Sequence, residues 1–166
     1  MGRNGAKAVA LGGMMAALAV VIMCLGGIIP VATYVCPTLC AMVLAVVLRY
    51  TGRRVAWAWY AAVSALSLLL GPDKEAAAVF VFLGYYPIIK PWLDGRKAPF
   101  LWKLIFFNAS IGILYALLLY LFRLEQVVQD FQEIGLVLTL VTLVLGNLVL
   151  FVLDFLLTRI GGRRKR

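Results

Sequence analysis

The fold of this chain is decided by residues 8–29, AVALGGMMAALAVVIMCLGGII, which contain no charged side chain. An α-helix rises about 1.5 Å per residue and the hydrocarbon core of a bilayer is about 30 Å thick, so about 20 apolar residues cross it. The run is too long for the apolar region of a cleaved signal peptide, and no secretory domain follows it. We therefore expect it to remain in the protein as the first membrane span.

Apolar runs of the same kind fill most of the remaining chain. Hydrophobic residues make up 64% of the 166 residues and the mean hydropathy is +1.01, which leaves too little polar surface for a soluble domain. The sequence predicts an all-α, polytopic integral membrane protein with one transmembrane domain over 1–166 and six transmembrane helices. The predicted spans are 8–29, 36–50, 55–71, 75–93, 100–122 and 134–159.

Lysine and arginine occur mainly in alternate connections between these runs, and this pattern orients the chain. Cytoplasmic loops of membrane proteins accumulate Lys and Arg. With a cytoplasmic N-terminus, 14 of the 16 basic residues lie inside and only Lys74 and Arg123 lie outside. Five spans would move the basic C-terminal segment outside, so the pattern predicts six spans with both termini cytoplasmic. The net charge of +9 is then a topology signal with some affinity for anionic lipid headgroups, and it predicts no nucleic-acid partner.

The residue inventory argues against catalysis, a metal and a cofactor. The sequence has no histidine, no phosphate-cradling Gly-rich loop and no GxSxG motif. Apart from Glu75 at the outer end of the fourth span, Asp154 is the only acid inside a predicted span, so the paired carboxylates of an intramembrane enzyme are missing. Cys24, Cys36 and Cys40 are expected to pack as small apolar residues, with a soft-metal pair at Cys36 and Cys40 as the alternative.

Polar side chains inside a span are costly in lipid and need partners. We expect each polar side chain within a span to be satisfied by a hydrogen bond between helices; these are Ser64, Ser67, Asn108, Ser110 and Asn147. An ionised Asp154 needs a cation, and Lys103 and Lys90 lie at a comparable depth. The sequence therefore predicts a structural ion pair on the cytoplasmic side.

Proline and tryptophan mark the ends of the predicted spans. Pro30 and Pro37 enclose VATYVC, and since proline removes a backbone donor and breaks helices, we expect residues 30–37 to form a non-helical outer loop. The next outer connection, GPDKE at 71–75, is expected to be a solvated turn with a helix cap. Trp57 and Trp59 are expected to anchor the third span at the cytoplasmic interface.

Small residues recur four apart in the first span, as Gly12-xxx-Ala16 and Gly13-xxx-Ala17, and such a face lets another helix approach closely. With the chain length, the six spans and the proline-bounded loop, this pattern resembles the substrate-binding S-component of energy-coupling factor (ECF) transporters over the full length. The resemblance implies a bacterial plasma-membrane protein that captures a small organic micronutrient, such as a vitamin, at the outer face. It implies a transmembrane coupling subunit and two cytoplasmic ATPases as partners. It also implies that Gly12, Gly13, Ala16 and Ala17 dock on the coupling subunit, and that Val31–Val35 is a lid over the substrate.

The side chains available in the outer half of the bundle indicate the kind of substrate. Aromatic walls with a few hydrogen-bonding groups suit a flat ring, and the near absence of buried charge argues against a highly ionic ligand. We therefore expect a small, largely apolar or aromatic organic molecule. The predicted substrate-binding residues are Tyr34, Ser64, Ser67, Phe80, Phe82, Tyr85, Tyr115 and Asn147. The vitamin-binding signatures of the better-known S-components are not visible, and the segment GYYPIIK at 84–90 has no established role there.

A second function class fits the same topology. A non-transporting scaffold, resembling the small polytopic MreD-like proteins of the cell-shape machinery, would use its basic tail and helix faces only to bind other proteins. An S-component must enclose an outer-facing cavity with convergent polar or aromatic groups, whereas a scaffold should be packed solid.

Overall fold

The computed structural model describes residues 3–26, 32–117 and 143–159, which form helices joined by short turns and contain no strand. The helices are α1 (Arg3–Gly26), α2 (Ala32–Thr51), α3 (Arg53–Leu70), α4 (Lys74–Leu83), α5 (Tyr86–Asp94) and α6 (Pro99–Leu117), and a further helix covers 143–159. The all-helical prediction is confirmed for this part of the chain. Long apolar runs favour helices because a helix satisfies its backbone hydrogen bonds within one segment.

Within the described residues, three helical segments are long and apolar enough to cross a membrane. They are Ala8–Gly26, Thr33–Thr51 and Lys74–Asp94, of 19, 19 and 21 residues. A shorter apolar stretch, Pro99–Leu114, lies in α6. The predicted outer connection between the fifth and sixth spans, 123–133, lies outside the described residues.

One compact unit, Met1–Gly95, contains α1 to α5. In this unit α2 contacts α1, α3, α4 and α5, so it is the central helix. Gly52 alone joins α2 to α3, with a φ of 87° that L side chains rarely adopt. The buried apolar core consists of Ala19, Met23, Cys36, Cys40, Leu44, Val47, Ala56, Trp59, Val63, Ala76, Ala77, Phe80 and Ile88.

The prediction of a non-helical loop over 30–37 is wrong for residues 32–37, because α2 begins at Ala32 and Pro37 lies inside it. Proline costs this helix one backbone hydrogen bond. The Thr38 hydroxyl donates to the Tyr34 carbonyl at 2.8 Å, in the same turn. Apolar helices tolerate proline where threonine side chains and neighbouring helices cover the altered backbone. Pro30 and Val31 lie outside the described residues.

The predicted fourth span is divided into α4 and α5 by a turn at Gly84 and Tyr85. The Gly84 N–H donates to the Phe80 carbonyl at 2.7 Å and ends α4. A side chain at Gly84 does not fit, since its Cβ would lie 2.5 Å from the Phe80 carbonyl oxygen and 2.6 Å from the Phe80 ring. The Tyr60 hydroxyl of α3 donates to the Val81 carbonyl near this break, so α3 supports the backbone where α4 ends.

The second unit, Arg96–Arg166, contains α6 and the 143–159 helix. Lys103 Nζ lies 2.9 Å from Asp154 Oδ2, which confirms the predicted ion pair for Lys103. Lys90, the other predicted cation, instead lies 3.5 Å from Asp94 in its own helix. Lys103 pairs with Asp154, and Asn108, further along α6, pairs with the earlier residue Asn147. These two helices are therefore antiparallel.

Two further contacts fix the register of this antiparallel pair. The side-chain amides of Asn108 and Asn147 donate to each other's oxygen at 3.3 Å in both directions. This reciprocal pair confirms the predicted hydrogen bonds between helices for Asn108 and Asn147. The rings of Phe100 and Phe151 stack with centroids 5.1 Å apart.

Candidate functional site

Three polar side chains of α3 are buried without a hydrogen-bond partner. Their atoms are Trp59 Nε1, Ser64 Oγ and Ser67 Oγ. Ser67 is 1% exposed and Trp59 is 5% exposed. A buried polar group with no partner costs about 1–3 kcal/mol. Serine in a helix commonly satisfies its hydroxyl on the carbonyl four residues earlier, and neither serine does so here.

We call these three groups the polar line. Trp59 and Ser67 share one face of α3, and Ser64 lies to one side of that face. Within the described residues, the hydrogen bonds between helices that were expected of Ser64 and Ser67 are absent. Trp59 and Ser67 are eight residues apart, which corresponds to about 12 Å along a helix, and Ser64 lies between them. Trp59 belongs to the buried core that also contains Val63, Ala76 and Phe80. An indole N–H can only donate, whereas a serine hydroxyl can donate and accept. The three groups therefore offer one hydrogen-bond donor and two groups that can both donate and accept.

A cluster of polar contacts joins the first turns of α2 and α4 at the end of α3 that carries Ser67. The Thr33 hydroxyl donates to Asp73 Oδ2 at 2.8 Å. Asp73 Oδ1 accepts the Ala76 N–H at 2.9 Å and so caps α4. The Tyr34 hydroxyl donates to Glu75 Oε1 at 3.4 Å. We call Thr33, Tyr34, Asp73, Lys74 and Glu75 the polar rim.

Lys74 in the rim completes the end of α3. Its ammonium donates to the carbonyls of Leu68 and Gly71 at 2.8 and 2.9 Å. A cation beside the last carbonyls of a helix is favourable because those carbonyls have no intrahelical donor. The predicted capped turn at 71–75 is confirmed by Asp73, and the rim additionally connects three helices.

The structure does not bring the predicted substrate-binding residues of the first unit together. Tyr34 lies in the polar rim, and Ser64 and Ser67 lie in the polar line. Phe80 is in the core with its ring 5.7 Å from that of Tyr60, and Phe82 is half-buried on α4.

Tyr85 lies at the break between α4 and α5. Its ring stacks on Trp57 at 6.1 Å and meets the edge of Tyr60 at 5.7 Å. Trp57 precedes Ser67 by ten residues on α3, which is about 15 Å. The structure therefore groups Tyr85 with Trp57 and Tyr60, away from the Ser67 end of α3.

The two remaining predicted substrate-binding residues belong to the second unit. Asn147 is engaged by Asn108 and also donates to the Leu143 carbonyl at 2.8 Å. Tyr115 lies on α6, and its side chain is outside the described part of the structure.

The predicted docking residues do not share one exposed face. Gly12 is buried, and a Cβ there would lie 3.9 Å from Val55 of α3. Ala16 is half-buried and packs against the core. Gly13 and Ala17 are exposed, and a Cβ at Gly13 would meet nothing within 4 Å. Of the four predicted docking residues, only Gly13 and Ala17 are therefore exposed, because the α1–α3 contact uses the neighbouring side of α1.

Sequence reasoning missed Trp59 as a site residue and treated it, like Trp57, as an interfacial anchor. Trp57 is exposed and Trp59 is buried, so that expectation is wrong for Trp59. The four-residue spacing of Trp59, Val63 and Ser67 is the signal that places all three on one helix face. Thr33 was also missed, because residues 30–37 were expected to be a loop.

Comparisons of the chain with models of known families, with curated proteins and with solved structures found no match.

Proposed function

We propose that this protein is the substrate-binding subunit of an ECF-type importer in a bacterial plasma membrane, with six spans and both termini in the cytoplasm. Its role would be to capture a small, largely apolar organic micronutrient at the outer face and to deliver it with a coupling subunit and two ATPases. The observation that carries the proposal is the polar line at Trp59, Ser64 and Ser67.

The polar line supports ligand binding for an energetic reason. Several buried polar atoms without partners on one helix together cost a few kcal/mol, a large fraction of the stability of an ordinary domain. A guest that supplies acceptors and donors recovers that free energy on binding. A scaffold gains nothing from the two buried hydroxyls, since alanine would pack in place of either serine.

The polar rim supports an outer entrance beside the polar line. In the proposed orientation α3 runs outward, so Ser67 and the rim lie near the outer surface. Asp73, Lys74 and Glu75 give this end both signs of charge, which suits a zwitterionic or weakly polar guest better than a polyanion. The sequence has no Walker motif, so energy for uptake would have to come from partner ATPases.

A ligand screen with matched variants tests substrate binding. The purified protein is screened by thermal shift against micronutrients of fewer than about 25 heavy atoms, and each stabilising compound is retested on Ser67→Ala and Trp59→Phe. We expect both variants to lose most of the ligand-induced shift. Ser110→Ala is the control, because Ser110 is also buried but lies in the second unit. A compound that stabilises all variants equally does not bind at the polar line.

Co-expression tests the transporter assignment separately. The tagged protein is expressed with the coupling subunit and both ATPases of an ECF system from the same organism, and the complex is isolated after detergent extraction. We expect a stoichiometric four-protein complex, and we expect Ala17→Leu to weaken it because Ala17 is exposed on α1. Ligand binding without complex formation would overturn the ECF assignment but leave the binding site intact. If the protein neither binds a ligand nor forms the complex, the MreD-like scaffold is favoured.

A further inference from the structure

The beginning of the second unit places cations beside exposed aromatic side chains. The Arg96 guanidinium carbon lies 5.0 Å from the centroid of the Trp102 ring. Lys97 follows in the turn that leads into α6 and is exposed. Phe100 is 62% exposed and Trp102 is 40% exposed, although Phe100 also stacks on Phe151.

A third cation is brought to the same end by the antiparallel helix pair. Lys103 bonds Asp154, so Arg159, five residues beyond Asp154, lies past Lys103 in the direction of Lys97. Arg159 is exposed. Asp154 is the only acid among the described residues of this unit, and Lys103 already neutralises it. Lys97 and Arg159 are therefore two exposed cations at the same end of the unit as the Arg96–Trp102 contact.

Exposed aromatics beside cations have a specific meaning in an apolar helical protein. Tryptophan and other aromatic rings favour the headgroup level of a bilayer, where an apolar ring meets a wet polar edge. A guanidinium stacked on an indole still presents its planar donor fork to a phosphate. A soluble anion would satisfy the cations but leave Phe100 and Leu101 in water, whereas a phospholipid covers both kinds of group.

We propose that Arg96, Lys97 and Arg159 bind the phosphate of an anionic phospholipid, while Phe100 and Trp102 contact its glycerol and upper acyl region. The site lies at the first turn of α6 and belongs to the second unit alone. It is independent of the substrate site on α3, so each can fail without the other. It adds a lipid ligand of defined chemistry to the general attraction of a basic protein for a membrane.

Native mass spectrometry of the detergent-purified full chain tests this site. The protein is mixed with equal amounts of phosphatidylglycerol and phosphatidylcholine, and the ratio of the two bound species is measured. Each cation near an anionic surface is worth about a fivefold change in affinity. Lys97→Ala/Arg159→Ala should therefore lower the preference for phosphatidylglycerol by about 25-fold.

The control variant is Arg53→Ala/Arg54→Ala, which removes the same charge from two exposed positions of the first unit. It should leave the preference within about twofold of wild type, because neither arginine belongs to the proposed site and an exposed charge outside a binding site contributes little. Equal loss in both variants would overturn the site and leave a net-charge effect only. Displacement of the lipid by millimolar inorganic phosphate would show a soluble-anion site instead, and equal binding of both lipids in wild type would show no site.

Discussion

Lys103 and Asp154 connect α6 to the 143–159 helix by an ion pair whose two side chains are mostly buried, with Nζ and Oδ2 2.9 Å apart. Removal of one partner leaves an uncompensated buried charge, which costs about 3–5 kcal/mol. We expect Lys103→Met alone to destabilise the protein by about 3 kcal/mol. Lys103→Met/Asp154→Leu should recover most of that loss, as measured by denaturant unfolding in detergent. A single variant as stable as wild type would mean that the pair is solvated.

Gly84 ends α4 in a position where a side chain meets the Phe80 backbone and ring. Gly84→Ala forces these atoms apart, and overpacking of this kind costs about 1–3 kcal/mol. Gly112→Ala is the matched control, since a Cβ at Gly112 of α6 meets nothing within 4 Å. Alanine is the better helix former by up to about 1 kcal/mol, so the control should stabilise. The unfolding midpoints of the two variants should move in opposite directions.

Asp73 combines the cap of α4 with the hydrogen bond from Thr33. Loss of an N-cap side chain costs about 0.5–2 kcal/mol, and Asp73→Ala should lie in the upper half of this range because both contacts disappear. Asparagine caps helices equally well with its one oxygen, and its NH2 group can donate to the Thr33 hydroxyl, which also accepts, so Asp73→Asn should cost little. The comparison uses thermal unfolding of the ligand-free protein. Equal losses in both variants would mean that the carboxylate charge, rather than the two hydrogen bonds, is what matters.

Ser67→Ala should leave the ligand-free protein equally stable or more stable. The hydroxyl is buried without a partner, so its removal abolishes a desolvation cost of about 1–3 kcal/mol and sacrifices no hydrogen bond. Tyr60→Phe, on the same helix, removes a hydroxyl that donates to the Val81 carbonyl. This second change should destabilise by about 1–2 kcal/mol. A destabilising Ser67→Ala would show that Ser67 has a structural partner and would remove the basis for the polar line.

The proposed topology predicts the side of the membrane on which the basic tail lies. A single cysteine at position 166, introduced after replacement of Cys24, Cys36 and Cys40, should react with a membrane-impermeant maleimide only in permeabilised cells. A cysteine at Pro72, between α3 and α4, should react in intact cells because that turn is proposed to be outside. Labelling of the tail in intact cells would contradict the cytoplasmic C-terminus.

The sequence was sufficient to predict the helical content and the contacts of those polar groups that are costly to leave unpaired in lipid. Asp154 needs a cation and the amides of Asn108 and Asn147 need partners, and these needs can be stated without knowing the fold. The start of α2 could not be predicted in this way. Proline rules describe what an isolated helix loses at Pro37, whereas surrounding side chains and packing decide whether the helix continues.

Burial within a helix was the other quantity that sequence could not supply. Trp57 and Trp59 have the same chemistry, and only the packing of α3 against its neighbours decides that Trp59 is the buried one. The same holds for Gly12 and Gly13, which are adjacent in sequence but differ in exposure. A pattern of small residues specifies that helices can approach closely, and the side that is used depends on where the neighbouring helix lies.

The single residue between α2 and α3 limits how this protein can change shape. Consecutive Cα atoms are about 3.8 Å apart, so with only Gly52 between them the ends of α2 and α3 cannot slide past one another by a helical turn. The ends of the two helices at Gly52 must therefore move together in any rearrangement. A change of shape beside α3 meets less constraint at α4, where the turn at Gly84 and Tyr85 already interrupts the helix.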